Sequence, residues 1–332
     1  MSPERRLGYS LVELLVVLSI LSLLISLLLP AMSTSQRTAQ RLGCMTNLRE
    51  IATGATQYAM ISNDSIIGSP SGSGAYLLDS NQAYGRAVQV WDFMGPMASM
   101  WDLGILEPSL GDTGGVAARF NNLRSARSFL CPANTFMARH FTGPDAGTGR
   151  MVSYNTVRTQ LWRARPGIAG VTSIPPSRPE SLPTNWIPSL GRIGNPANKV
   201  FCADGARFSS PNITPDYDLS VAAPFGGAFA DVGSYSSITR SWNRSWANGL
   251  QSGIDARIYA FRHSPAEPPP GAPGNAFKLN LAFYDGHVET QGDLDSTDPH
   301  QWLPQGSTLD TSSTWSDTID YFNLPAKLNI GS

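Results

Sequence analysis

His263, Asp285 and His287 fall within 25 residues of one another near the end of a 332-residue chain. Imidazole and carboxylate together can move protons or hold a metal ion. No Gly-x-Ser-x-Gly and no His-Glu-x-x-His string accompanies them. The simpler reading makes Asp285-Gly286 a turn whose carboxylate bonds to a histidine, and it leaves the chain without catalytic residues. A second constellation is Asp293, Asp295 and Asp298, three carboxylates in one short loop. Hard oxygen ligands suit Ca2+, although the spacing is not that of an EF-hand and acidic loops are commonly just solvated. The thiols are Cys44, Cys131 and Cys202. Three cysteines do not make a disulfide framework. Outside the cytoplasm a Cys131–Cys202 bridge would leave Cys44 over; the plainer reading makes all three small buried apolar residues.

The elements that must position these groups begin with the longest apolar run. From Leu14 to Leu29 there is no charge, and Ser19, Ser22 and Ser26 are the sole polar interruptions. As a helix, Leu14 to Met32 would span about 28 Å, close to the hydrocarbon thickness of a bilayer. Arg5 and Arg6 precede the run, and Glu13 sits at its edge. A cleaved secretory signal fits poorly, because the run is long and no small-x-small site follows it. A plain signal anchor accounts for Arg5 and Arg6 by the positive-inside rule. It leaves Glu13 unexplained, since a carboxylate at a membrane is costly without a partner.

A third reading accounts for both. The string Arg6-Leu7-Gly8-Tyr9-Ser10-Leu11-Val12-Glu13-Leu14-Leu15-Val16-Val17-Leu18-Ser19-Ile20 resembles the type IV prepilin processing signal shared by pilins and type II secretion pseudopilins. The resemblance implies that a prepilin peptidase cuts between Gly8 and Tyr9 and N-methylates Tyr9, where the family usually has phenylalanine. It also makes Glu13 the acid of the mature helix. In a bundle of such helices, the Glu13 carboxylate of one subunit can meet the α-amino group of Tyr9 on its neighbour, so that each buried charge has a partner.

Beyond the membrane, Leu42, Met45, Leu48, Ile51, Ala52, Ala55, Tyr58 and Ala59 recur at helical spacing and predict an apolar stripe that packs on a head domain. One helix is therefore expected from residue 9 to about 61, with Pro30 kinking it. Cys44-Met45-Thr46-Asn47-Leu48-Arg49-Glu50-Ile51 is similar to the Cys-x-x-Asn-Leu string of large G-type pseudopilin-like proteins. In the head, Phe129 to Pro132 and Val152 to Asn155 read as short strands, Lys199 to Asp204 as a buried strand ending in an Asp204-Gly205 turn, and Arg257 to His263 as a half-buried strand. Ala276 to Tyr284, Asp285-Gly286 and His287 to Thr290 form a hairpin pattern. With His263 it is similar to the H-x9-D-G prepilin-processing-associated domain, although here 21 residues separate His263 from Asp285. Major G-type pseudopilins often carry calcium in a C-terminal loop, so the resemblance also implies Ca2+ as the ion for Asp293, Asp295 and Asp298.

The expected fold class is α+β. A long N-terminal helix, membrane-spanning in its first half and amphipathic in its second, packs on an antiparallel β-sheet with long loop insertions, as in pilins. The expected organisation is a leader at 1–8, a transmembrane helix at 9–32, an amphipathic helix at 33–62 and a periplasmic head at 63–332, with the C-terminal motif at 256–290. Low charge (15%), 31 Gly and 25 Pro favour a loop-rich extracytoplasmic domain. A net charge of -1 and the lack of a basic patch argue against a nucleic-acid partner.

The resemblance implies a single-pass inner-membrane protein with a cytoplasmic N-terminus. Its function would be structural, as a minor or low-copy subunit of a type IV pilus-like or type II secretion pseudopilus assembly. Its partners would be prepilin peptidase and other pilin or pseudopilin subunits. A head of about 270 residues is bulky for a repeated filament subunit. The alternative is a membrane-anchored periplasmic or surface binding module that never enters a filament, with Trp242, Trp246 and the cluster from Trp91 to Trp101 as its contacts.

Overall fold

The computed structural model describes residues 10–68, 93–103, 125–134, 137–139, 148–150, 152–161, 178–205, 229–230, 232–236, 259–264 and 273–331; at 137–139, 148–150 and 229–230 it describes the backbone alone.

One helix, α1 (Leu11–Ile61), dominates. Its ends lie where local chemistry sets them. Ser10 accepts from the Glu13 N–H at 3.2 Å, and Glu13 Oε2 accepts from the Ser10 N–H at 2.8 Å, a reciprocal capping box. Asn63 and Asp64 then take positive φ and end the helix. Pro30 lies inside α1, and its carbonyl accepts from Ser33 Oγ and Thr34 Oγ1. The expected apolar stripe is present from Leu48 to Ala59. At its upper edge Leu42 faces outward, 54% exposed, and Cys44 takes the buried position.

Among the described residues, the shorter helices are α2 (Met94–Met100), α3 (Arg158–Leu161), α4 (Pro299–Trp302) and α5 (Ser316–Phe322). The central sheet has five strands in the order β6 (Phe229–Ala230), β3 (Tyr154–Val157), β5 (Val200–Asp204), β7 (Lys278–Phe283), β8 (Val288–Gly292). All its pairings are antiparallel except β3 with β6, which is parallel. β1 (Met137–Arg139) pairs antiparallel with β2 (Thr148–Arg150). A three-stranded sheet runs in the order β10 (Lys327–Asn329), β9 (Thr308–Asp310), β4 (Glu180–Ser181).

The central sheet separates two cores. Along β7, Leu279, Leu281 and Phe283 face one side, where they meet Val200, Tyr259, Trp302 and Leu309. Ala282 and Tyr284 face the other, where Cys44, Leu48, Ile51, Ala52 and Ala55 of α1 cover them with Phe93, Met97 and Phe129. This period-2 alternation is what a sheet covered on both faces requires. The protein is thus an α+β structure of pilin-like architecture.

Three expectations are corrected. Phe129 to Pro132 do not form a strand: Phe129 closes a 3-10 turn (Arg127–Phe129), and 130–132 have no strand pairing. Gly205 is no turn residue; it bridges Tyr259 from an extended backbone. Arg257 to His263, expected as a half-buried strand, is not one among its described residues: Tyr259 makes a single bridge to Gly205, and the mostly buried extended segment 260–264 runs beside β7, with the His263 N–H donating to the Lys278 carbonyl.

Candidate functional site

Where α1 enters the head, four side chains from distant parts of the chain converge. Cys44 comes from α1, Cys131 from the loop after the 3-10 turn, Asp204 from the end of β5 and His263 from the extended segment. Each offers a ligand-type atom, and the four atoms lie within 4.8 Å of one another. All four residues are buried, Cys44, Cys131 and Asp204 completely.

The backbone explains how Asp204 reaches this place. The register of β5 on β7 slips between Val200 and Cys202. Val200 and Ala203 face the distal core, while Phe201 and Cys202 both face α1. Strict alternation from Val200 would aim Asp204 away from α1. The bulge moves the phase by one residue, and Asp204 lands on the α1 side.

The contacts are dense. Cys44 Sγ donates to Asp204 Oδ1 at 2.8 Å, and His263 Nε2 lies 3.1 Å from Asp204 Oδ2 and 3.5 Å from Cys131 Sγ. The Asn280 N–H donates to Asp204 Oδ2 at 2.8 Å, and an Arg262 guanidinium nitrogen stands 3.7 Å from Oδ1. The Arg262 guanidinium also donates to the Gly205 carbonyl at 3.0 Å. Tyr154 donates its hydroxyl to Cys44 Sγ at 3.4 Å, and Asn47 Nδ2 in turn donates to the Tyr154 oxygen and to the carbonyls of Arg127 and Leu130.

Burial, then the neighbouring Cys131 and Asp204, push the Cys44 thiol well above its usual range. At Cys131 burial also opposes the thiolate, but hydrogen bonding from Cys44 and the cations His263 and Arg262 outweigh it and bring the thiol down to about 6. At His263 burial favours the neutral ring, yet the Asp204 carboxylate and Cys131 raise it to about 9. A thiolate beside an imidazolium resembles the start of cysteine catalysis. Two features oppose that use. The same ring nitrogen, Nε2, meets both Cys131 and Asp204, whereas an oriented Cys–His–Asp system uses the two nitrogens separately. Cys131 is also fully buried, out of reach of any substrate.

Sequence reasoning found one member of this cluster, His263, and paired it with other residues. His263 lies beside the start of β7, and Asp285 follows its end, about 20 Å away at strand rise. Asp285 serves the hairpin instead. Its Oδ1 accepts from the His287 N–H at 3.1 Å and lies 2.6 Å from His287 Nδ1, while Gly286 takes φ +93°. Burial, the largest single influence, raises the Asp285 carboxyl, but the His287 contacts together outweigh it and hold the carboxyl below its usual range. The His287 ring stacks on Phe283 at 4.2 Å. His263, Asp285 and His287 therefore do not converge.

Nor do the calcium candidates share a point. Asp293 Oδ1 accepts from the Phe277 N–H at 3.3 Å. Asp295 Oδ1 accepts from Tyr321 at 2.8 Å and from Asn275 Nδ2 at 3.0 Å. Asp298 caps α4, accepting from the His300 N–H at 3.0 Å. Among the described residues, the buried Cys/Cys/Asp/His cluster is the one group of metal-ligand type. The cysteines are not linked by a disulfide; Cys131 neighbours Cys44, not Cys202. Of the aromatic candidates, Trp91, Trp242 and Trp246 lie outside the described residues, as do Gly8 and Tyr9. Trp101 stacks on Phe129 at 6.0 Å against the α1-side core.

The opposite end of α1 differs in every respect. From Leu11 to Ala39 each residue is exposed. The hydroxyls of Ser19, Ser22 and Ser26 donate to carbonyls three residues back, so none of them requires a partner outside the helix. Among the described residues α1 is the one helix long and apolar enough to cross a membrane. Residues 5–29 match the family model of the prokaryotic N-terminal methylation motif, a stretch that includes Gly8, Tyr9 and Glu13. Among curated proteins and among solved structures, none matches the chain.

Proposed function

We propose that the chain is a prepilin-type subunit, processed by prepilin peptidase after Gly8, that serves at low copy in a type IV pilus-like or type II secretion pseudopilus assembly. The observation that carries this reading is the methylation motif at residues 5–29 on a helix whose first half is exposed and apolar. A processing signal of this kind points to a structural protein rather than an enzyme. In the membrane the N-terminus is cytoplasmic, with Arg5 and Arg6 on that side, and the head is periplasmic. Cleavage frees the amine of Tyr9, and Glu13 guides the helix into a bundle of its kind by pairing with that amine on a neighbour. In the isolated chain Glu13 already has a local partner in the Ser10 N–H. Docking therefore exchanges a hydrogen bond to a backbone N–H for an ion pair with an amine and sets register more than it adds stability.

The test is mass spectrometry of the N-terminal peptide of protein taken from its native membrane. A peptide that begins with N-methylated Tyr9 is the expected result. A chain that retains residues before Gly8 would overturn the assignment and leave an uncleaved anchor.

A further inference from the structure

We propose that Cys44, Cys131, Asp204 and His263 form a structural zinc site that fastens the membrane helix to the head. The inference goes beyond the filament reading and holds whether or not the chain enters a filament.

The donor set is the first argument. Two sulfurs, one imidazole nitrogen and one carboxylate oxygen complete a four-coordinate shell of the kind Zn2+ takes in closed structural sites. Thiolates disfavour Ca2+ and Mg2+, which take oxygen ligands. Spacing is the second. Around one tetrahedral zinc, ligand atoms stand about 3.3–3.8 Å apart, given bonds of about 2.0–2.3 Å. Here Cys131 Sγ and His263 Nε2 are 3.5 Å apart, His263 Nε2 and Asp204 Oδ2 3.1 Å, and all four atoms fall within 4.8 Å. The Cys44–Asp204 approach of 2.8 Å is a hydrogen bond, which the ion would open.

The surroundings are the third argument. Tyr154 donates to one sulfur and the Asn280 N–H to the carboxylate, contacts that orient ligands.

The test uses the full chain, purified in detergent under reducing conditions, freed of metal by chelation and reloaded with Zn2+ or Co2+. Expected are one zinc per chain, a visible cobalt spectrum with sulfur-to-metal charge transfer, and a zinc-dependent rise in the unfolding midpoint of about 5 °C or more. Cys131→Ser and His263→Ala should lose the metal and the charge-transfer band. Cys202→Ser, whose thiol is buried outside the cluster, should keep both. Tyr154→Phe should weaken zinc about 10-fold. Should the ligand variants fail to fold, chelation and reloading of the unaltered chain decides the matter alone. No zinc after reloading, zinc retained in Cys131→Ser and His263→Ala, or a Cys44–Cys131 disulfide in metal-free native protein would each overturn the proposal.

Discussion

α1 is one helix with two surfaces. Its first half, Leu11 to Ala39, is exposed throughout, and from Leu14 to Met32 it is apolar all round apart from three serines and Pro30. Its second half is apolar on one stripe, and that stripe is buried, with Leu48, Ile51 and Ala52 at zero exposure. Polar groups follow the same division. In the first half the serines bond to their own helix. In the second, Asn47 donates to the Arg127 and Leu130 carbonyls, and Thr56 donates to the Tyr284 carbonyl at 3.4 Å. A helix hydrophobic all round needs an apolar solvent, and one with a single stripe needs a partner face. The first half is built for lipid or for sister helices, the second for its own head.

The strongest way to break this comparison is to shorten the same residue type in each half. Leu48→Ala leaves a hole between α1 and the sheet and should cost about 2–5 kcal/mol of head stability. Leu23→Ala, at a position 62% exposed, should stay within about 0.5 kcal/mol. Urea unfolding of the full chain in detergent, followed by tryptophan fluorescence, measures both. Equal effects would mean that the first half also packs on the head.

Gly54 sharpens the comparison within the second half. A Cβ there would stand 2.6 Å from a ring carbon of Trp101 and 3.2 Å from the end of Met97. Trp101 has little freedom to retreat, because it stacks on Phe129. Alanine is better than glycine in a helix by about 1 kcal/mol. Overpacking costs about 1–3 kcal/mol, so the clash should win. Gly54→Ala should then destabilise by about 1 kcal/mol and become neutral or stabilising when combined with Trp101→Ala. A stabilising single substitution would show that α1 and α2 are not in close contact.

The same contrast explains what the sequence made legible. α1 was readable almost to its ends because charge-free runs and 3.6-residue spacing are local signals. The β7–β8 hairpin was readable because Asp285-Gly286 sits between two apolar runs. The buried cluster was not. Its members stand at 44, 131, 204 and 263, so no spacing motif exists, and three cysteines suggested only small apolar residues or a Cys131–Cys202 bridge. Asp204 looked like a turn residue because Gly205 follows it, and a bulge that alternation does not encode re-aims it toward α1. One clue was present. Cys44 lies four residues before Leu48, on the buried stripe, where the outward-facing Leu42 had been expected instead. The elements after residue 293 are short, and their hydrogen bonds to Asn275 and β4 come from far along the chain.

The smallest expected effect on stability belongs to Glu13, and there the two halves separate most cleanly. Its carboxylate lies outside the head and closes a capping box with Ser10. Glu13→Gln keeps an oxygen for the Ser10 N–H and removes the charge. The cap should weaken by less than about 1 kcal/mol, and the unfolding midpoint of the head should not move. If the carboxylate pairs with the amine of a neighbouring Tyr9, as proposed, the same substitution should leave cleavage after Gly8 intact and abolish co-isolation with other pilin-type subunits. Cross-linking in native membranes would measure this. A variant that is cleaved and still assembles would remove the docking role of Glu13 and leave the charge with nothing more than a helix-capping task. A variant that loses assembly with an unchanged head would show that the first half of α1 carries association on its own, independent of the packing that fixes the second half.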